Sequence, residues 1–204
     1  MTTSVVEIWN HALARMGTAR RVESELERSA EANLLRTQYP ITLSRLLESY
    51  DWAFARVYGA LTPINDDAEL ADGWSWAYEW PANALAIRAI LNPAAVSDET
   101  PMPFEVAQAA DGRRKILCML EGATAKWTTM VDETHRFPPT FIHCLSLALQ
   151  AEVAMSIARD RVQVQSALAL FAQAESFARV STSNQCLSRW NGNAHSPASI
   201  RARS

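Results

Sequence analysis

His143 and Cys144 are the first residues to weigh for chemistry, because imidazole and thiolate together can hold zinc or form a nucleophilic pair. They are neighbours in a segment with helical spacing, so their side chains diverge by about 100° and cannot grip one ion without distant partners. A structural role is the reading for both. Glu121, Asp132 and Glu133 offer the paired carboxylates that sugar hydrolysis needs. Nothing in the sequence puts them in a cleft, and solvated strand ends are the preferred reading. Trp74, Trp76, Tyr78 and Trp80 alternate with Ser75, Ala77 and Glu79, the period of a strand that shows one aromatic face. Such a face can stack bases or sugars, or it can be the buried side of a sheet packed on helices. Single-strand binders set positive charge beside their stacking platforms, and the interleaved residues supply none, so the buried sheet face is preferred. The chain has no P-loop, GxGxxG or GxSxG motif, and its six glycines leave little for phosphate-cradling loops. The sequence therefore points to no catalytic residue, no metal site and no cofactor.

Composition narrows the class further. The 204 residues are 49% hydrophobic, enough for a globular core, and the formal net charge is −3. A protein that grips nucleic acid by its phosphates needs clustered cations. Here the basic residues read as scattered, with Lys115 and Lys126 as the lysines. Cys118, Cys144 and Cys186 are odd in number and lack CxxC spacing, which favours buried free thiols in a reducing compartment. The opening residues carry no signal-peptide pattern, and the apolar stretch over 141–158 is interrupted by His143, Gln150 and Glu152. A soluble protein that does not span a membrane is expected.

The elements that must position these residues are legible in outline. Ser4 and Glu7 form a capping box, apolar residues recur from Val5 to Met16, and Gly17 suits a helix C′ position, so a helix is predicted over 4–17. A second capping box, Ser24-Glu25-Leu26-Glu27, predicts a helix over 24–50 that Pro40 should kink or split. A β region spans about 53–131: a strand over 53–62, an acidic loop over 65–69, the aromatic row, and a segment over 81–91 ambiguous between helix and strand. A meander of three strands over 104–110, 114–120 and 123–131 follows, with Asp111-Gly112 as a type I′ turn. Two antiparallel helices over 139–159 and 162–182 complete an α+β fold, mainly α: a helical bundle with a small β region. Residues 1–188 form the folded part. From Arg189 onward the chain has basic residues, no acid and little to bury, and is expected to be a flexible tail.

The order of segments then becomes recognisable. His11-Ala12-Leu13-Ala14-Arg15-Met16-Gly17 resembles the "ALxRxG" opening of podovirus head-to-tail adaptors, also called tail tubular protein A or tail accessory factor. Glu27-Arg28-Ser29-Ala30-Glu31-Ala32, with Tyr39-Pro40 and Arg45-Leu46-Leu47, is similar to that family's second helix. Trp52-Ala53-Phe54-Ala55 resembles its "PWxFA" signature, with Asp51 in place of the proline. Trp76 to Leu85 resembles its "Y-x-Y-P-x-D-x-L" segment, with Trp80 for tyrosine and Asn83 for aspartate, and Phe137-Pro138-Pro139-Thr140-Phe141 its return helix. The likeness covers residues 4–185. It implies a structural protein and no enzyme: a homo-oligomeric ring, a dodecamer, below the portal protein of a short-tailed phage. Such a ring extends the DNA channel, helps retain the genome and carries the tail nozzle and fibres, within the virion. Viral DNA passes through its lumen without sequence-specific binding. The tail would dock on the portal, with Trp190 and Ile200 as apolar anchors and Arg189, Arg201 and Arg203 as charge contacts. Two other readings compete: a head-completion protein of a long-tailed phage, and a small peptidoglycan hydrolase using Glu121 or Glu133.

Overall fold

A computed structural model describes residues 3–18, 20–64, 70, 73–91, 102–157 and 161–186. Helices α1 (Val5–Arg15) and α2 (Ala30–Ser49) lead into strands β1 (Arg56–Ala60), β2 (Trp76–Glu79), β3 (Ala84–Leu91), β4 (Phe104–Gln108), β5 (Arg114–Cys118) and β6 (Thr124–Thr129). Helices α3 (Pro139–Ile157) and α4 (Arg161–Cys186) follow. The α+β class read from the sequence is the class observed. The acidic loop at 65–69, the break at 159–160 and the whole segment 189–204 lie outside the described residues.

Local chemistry sets the helix ends. The Ser4 hydroxyl accepts from the Glu7 N–H at 3.1 Å, and the Glu7 carboxylate accepts from the Ser4 N–H at 2.8 Å, so the predicted capping box forms. Gly17, at φ 70°, sits just past the last turn in the left-handed conformation a residue with a Cβ resists. The second box does not start a helix. Ser24 and Glu27 close a tight turn, and Arg36 clamps it by donating to the carbonyl oxygens of Glu25 and Glu27 at 2.8 and 2.7 Å. Helix α2 instead begins after Ser29, whose hydroxyl accepts from the Ala32 N–H at 3.2 Å. Pro40 does not split it. Pro40 and Arg36 both face solvent, where water can take the Arg36 carbonyl that the proline cannot serve.

The strands form two three-stranded antiparallel sheets, ordered β1-β6-β3 and β2-β5-β4. The ambiguous segment at 81–91 is strand β3. The predicted meander is corrected: β4 and β5 form the expected hairpin, but β6 leaves them and pairs between β1 and β3. Tyr78 directs this departure from the buried core, because its hydroxyl donates to the Leu120 carbonyl at 2.7 Å and accepts from the Ala123 N–H at 3.3 Å. The β4–β5 turn is also corrected. The Gly112 N–H donates to the Ala109 carbonyl, the Ala109 N–H donates to the Arg113 carbonyl, and Gly112 carries a positive φ, the pattern of a type I turn with a glycine bulge. At Gly59 an added Cβ would lie 2.7 Å from the Trp127 ring, so β1 lacks a side chain there because the neighbouring strand fills the space.

Two cores result. Helices α1, α2 and α4 pack around α3, burying Ile8, Trp9, Leu13, Leu35, Leu43, Leu47, Phe141 and Leu145. Among the described residues α3 is long and apolar enough to cross a membrane, and 56% of that stretch is buried inside the bundle, which accounts for its apolarity. Trp52, whose indole N–H donates to the Leu46 carbonyl at 2.7 Å, meets Phe141 edge-on at 5.1 Å, and Phe54 and Phe137 extend the cluster. Anchoring Trp52 makes residues 53–55 a 3₁₀ turn, so the strand predicted from 53 starts at Arg56. The second core, around Tyr78, Ile90, Ile116 and Cys118, lies between the sheets. Tyr78, with Trp76 and Trp80 partly buried beside it, therefore packs toward the other sheet, which corrects the expectation that helices cover the aromatic row.

A charged junction ties the bundle to the first sheet. Arg88 of β3 donates to the carbonyls of Leu47, Glu48 and Tyr50 at the end of α2 (3.3, 2.7 and 2.8 Å) and to the Thr128 hydroxyl on β6 at 2.8 Å. Those carbonyls are the acceptors a helix leaves unserved at its C-terminus, and a cation there also suits the helix dipole. Beside it the Asp51 carboxylate pairs with Arg56 at 2.8 Å and Lys126 at 3.1 Å. Burial pushes the Asp51 carboxyl up, but the hydrogen bonds and charges of Arg56 and Lys126 outweigh it and hold it below its usual value. Replacing Arg88 with Met should cost about 2–3 kcal/mol in urea unfolding; a loss under about 0.5 kcal/mol would show that water caps α2 equally well. Because the Asp51 pKa is lowered by folding, its stabilisation is complete above the unfolded value near 3.9 and fades as pH falls through the folded value. The Asp51→Asn chain should therefore lose less stability than the natural chain between about pH 5 and pH 3, measured by thermal unfolding across that range.

Candidate assembly surface

The α4 sequence explains both of its faces. At about 100° per residue, Val164, Ala167, Phe171, Ala178 and Thr182 point one way, toward α3 and the bundle core. Val162, Ser166, Ala169, Leu170, Gln173, Ser176, Phe177 and Val180 point the opposite way, over about 27 Å of helix. A solvent-facing helix normally carries charge on that side. This one carries none: between 162 and 186 the charged residues are Glu175 and Arg179, and they pair with each other at 2.7 Å on the flank toward α2. There Glu175 also accepts from the Ser49 hydroxyl at 3.3 Å, and Arg179 lies over the Tyr50 ring.

The outward face is both apolar and exposed. Val162 is 69% exposed, Phe177 66% and Val180 59%, values that a large apolar side chain reaches singly on most surfaces but rarely in a row. Leu170, Phe177 and Val180 continue into a groove of about 580 Å³ whose far wall is Arg15 of α1 with His143 and Leu147 of α3. Arg15 donates to His143 Nδ1 at 3.3 Å, since a guanidinium has no acceptor. Burial, Arg15 and His11 all keep the His143 imidazole below its usual pKa, so the groove rim holds one fixed cation and a neutral ring at neutral pH.

The side chains singled out from the sequence for chemistry do not converge. His143 is exposed on α3 while Cys144 is fully buried, its thiol pushed up by burial to about 12, so the two point apart as their adjacency implies. Cys118 is likewise buried and unpaired, and Cys186 lies beyond the described side chains. Glu121 sits in the exposed β5–β6 turn, where its charge is felt by Tyr78 in the sheet core, whereas that of Asp132 is felt by Tyr39 in the helical core. Glu133 is half-exposed and 3.5 Å from Arg136. Among the described residues no three His, Cys, Asp or Glu side chains are grouped to hold a metal ion. Arg189, Trp190, Ile200, Arg201 and Arg203 lie outside the described residues.

The outward face of α4 is what the residue-by-residue reading of the sequence missed. The signal was present in the chargeless run and in the seven-residue spacing of Leu170 with Phe177 and Gln173 with Val180. Its meaning depends on knowing which side α3 covers. No protein-family model matches this chain, and no curated protein matches it either. Since Phe177 touches solvent more than the fold, Phe177→Asp should leave the unfolding free energy within about 0.5 kcal/mol of the natural chain while lowering binding of an apolar-surface dye. An equal dye signal would mean that this face is not the exposed apolar patch it looks to be.

Proposed function

We propose that this chain is a structural head-to-tail adaptor of a short-tailed phage, working as a ring subunit below the portal protein and not as an enzyme. The observation that carries the reading is the uncharged, apolar outer face of α4 with its adjoining groove. Such a surface is costly to leave in water and suits contact with a neighbouring chain. A closed ring needs two different faces of one subunit to fit each other, and a stiff helix about 39 Å long makes one straight edge of such a contact. The order of sequence motifs from the α1 opening to the α3 entry supports the same assignment. A net charge of −3 suits the wall of a DNA conduit, because a strongly basic lumen would hold the moving genome. The nozzle and fibres would sit on the side away from the portal. Arg189, Trp190, Ile200, Arg201 and Arg203 are proposed as portal contacts, with the ordering of that segment offset by the area it buries.

Mixing the purified chain with its candidate portal and imaging the product by electron microscopy tests the proposal. The natural chain should add a ring of density, a dodecamer, to one end of the portal. A chain paired with Phe177→Asp and Val180→Asp should fail to form it, and deletion of 189–204 should weaken portal binding at least tenfold. Portal particles that stay bare at micromolar excess of the natural chain would end the adaptor reading.

A further inference from the structure

The sequence argument against nucleic-acid contact rested on the lack of positive charge beside the aromatic row, and the fold changes that premise. Strands β2 and β5 pair antiparallel with Glu79 opposite Lys115, so Trp80 stands beside Arg114, 34 positions away in the chain. The Arg114 guanidinium lies over the Trp80 ring at 4.2 Å from its centroid, on the side of the sheet that faces the β core. Arg113 follows at the mouth of the turn, three-quarters exposed, held by Asp111 at 2.5 Å. Trp80 itself is fixed, because its indole N–H donates to the Ala84 carbonyl at 2.9 Å. These residues, with Ile64 and Glu79, line a cleft of about 250 Å³. At roughly 30 Å³ per liquid water, that is room for one base or one phosphate and not for a folded chain.

We infer that this cleft takes one nucleotide unit of single-stranded nucleic acid. The base stacks on the outer plane of the Arg114 guanidinium, whose inner plane already rests on Trp80; guanidinium planes are standard platforms for unpaired bases. The phosphate on its 5′ or 3′ side meets Arg113, and a carboxylate at Glu79 accepts from an exocyclic amine, which favours cytosine or adenine over thymine. Glu79 also offsets part of the positive charge, so the contact is weak and short, unlike the long basic grooves of dedicated single-strand binders. The inference stands apart from the adaptor reading, since it uses other residues and neither needs a ring nor a portal.

Fluorescence anisotropy with a labelled single strand of about twelve cytidines, at low salt, tests it on the full natural chain. Arg114→Gln should lower the affinity about tenfold, the loss of one stacked base. Arg113→Gln should lower the slope of log affinity against log salt by about 0.7, the loss of one phosphate-directed cation, while Arg114→Gln, which removes the stacking plane, should leave the slope nearly unchanged. Arg113 is exposed, so the Arg113→Gln chain keeps its fold. Replacing cytidine with thymidine should weaken binding in the natural chain and make no difference in Glu79→Gln. The inference is overturned if the natural chain shows no binding at low salt, if both arginine variants bind like it, or if a duplex of the same length binds more tightly.

Discussion

One guanidinium holds the two halves of this molecule in register. Arg88 leaves a strand and serves three carbonyls at the end of α2 while keeping a fourth bond to β6. Everything that gives the molecule surfaces of defined shape depends on that junction. The sheet β1-β6-β3 can only sit on the bundle where α2 stops, and α2 stops where Tyr50 turns to extended backbone and Trp52 enters the aromatic cluster. Asp51, between two cations, fills the remaining position.

Much of the helical part was legible in the chain because helix punctuation is local. The Ser4–Glu7 box and Gly17 act within a few residues, and the apolar faces of α1 and α2 follow from spacing alone. The second box misled for the same reason: in a tight turn clamped by Arg36 the Ser24 hydroxyl accepts from the Leu26 N–H and the Glu27 carboxylate from the Glu23 N–H, and only tertiary context decides between turn and helix. Strand partners were less legible still. The β4–β5 hairpin could be seen because its turn is short, whereas the choice of β6 between neighbours lies with Tyr78, a residue 45 positions away that pins the crossover. The aromatic row was correctly read as one sheet face, but its covering layer is the other sheet, and periodicity cannot name the layer opposite.

The same contrast applies to function. Side chains marked for chemistry by type alone are scattered between the sheet core, the helical core and solvent. What the molecule presents at its surface comes from placement: an α4 face with no charge, and a tryptophan that meets an arginine through strand pairing. A charged residue on α4's outside would have been unremarkable, and its consistent absence over five turns is informative only once α3 is known to cover the other side.

The position of β6 and α3 late in the chain bears on how the protein is made. β6 is the central strand of its sheet, and α3 is the helix that α1, α2 and α4 all pack around. While the ribosome has released only the first 120 residues, neither layer has its middle member. The emerging α1 and α2 can meet through Trp9 and Tyr39, but most of their apolar faces and those of β1 and β3 close only when residues 124–157 arrive. Vectorial synthesis thus delivers the central member of each layer after most of the elements that pack around it.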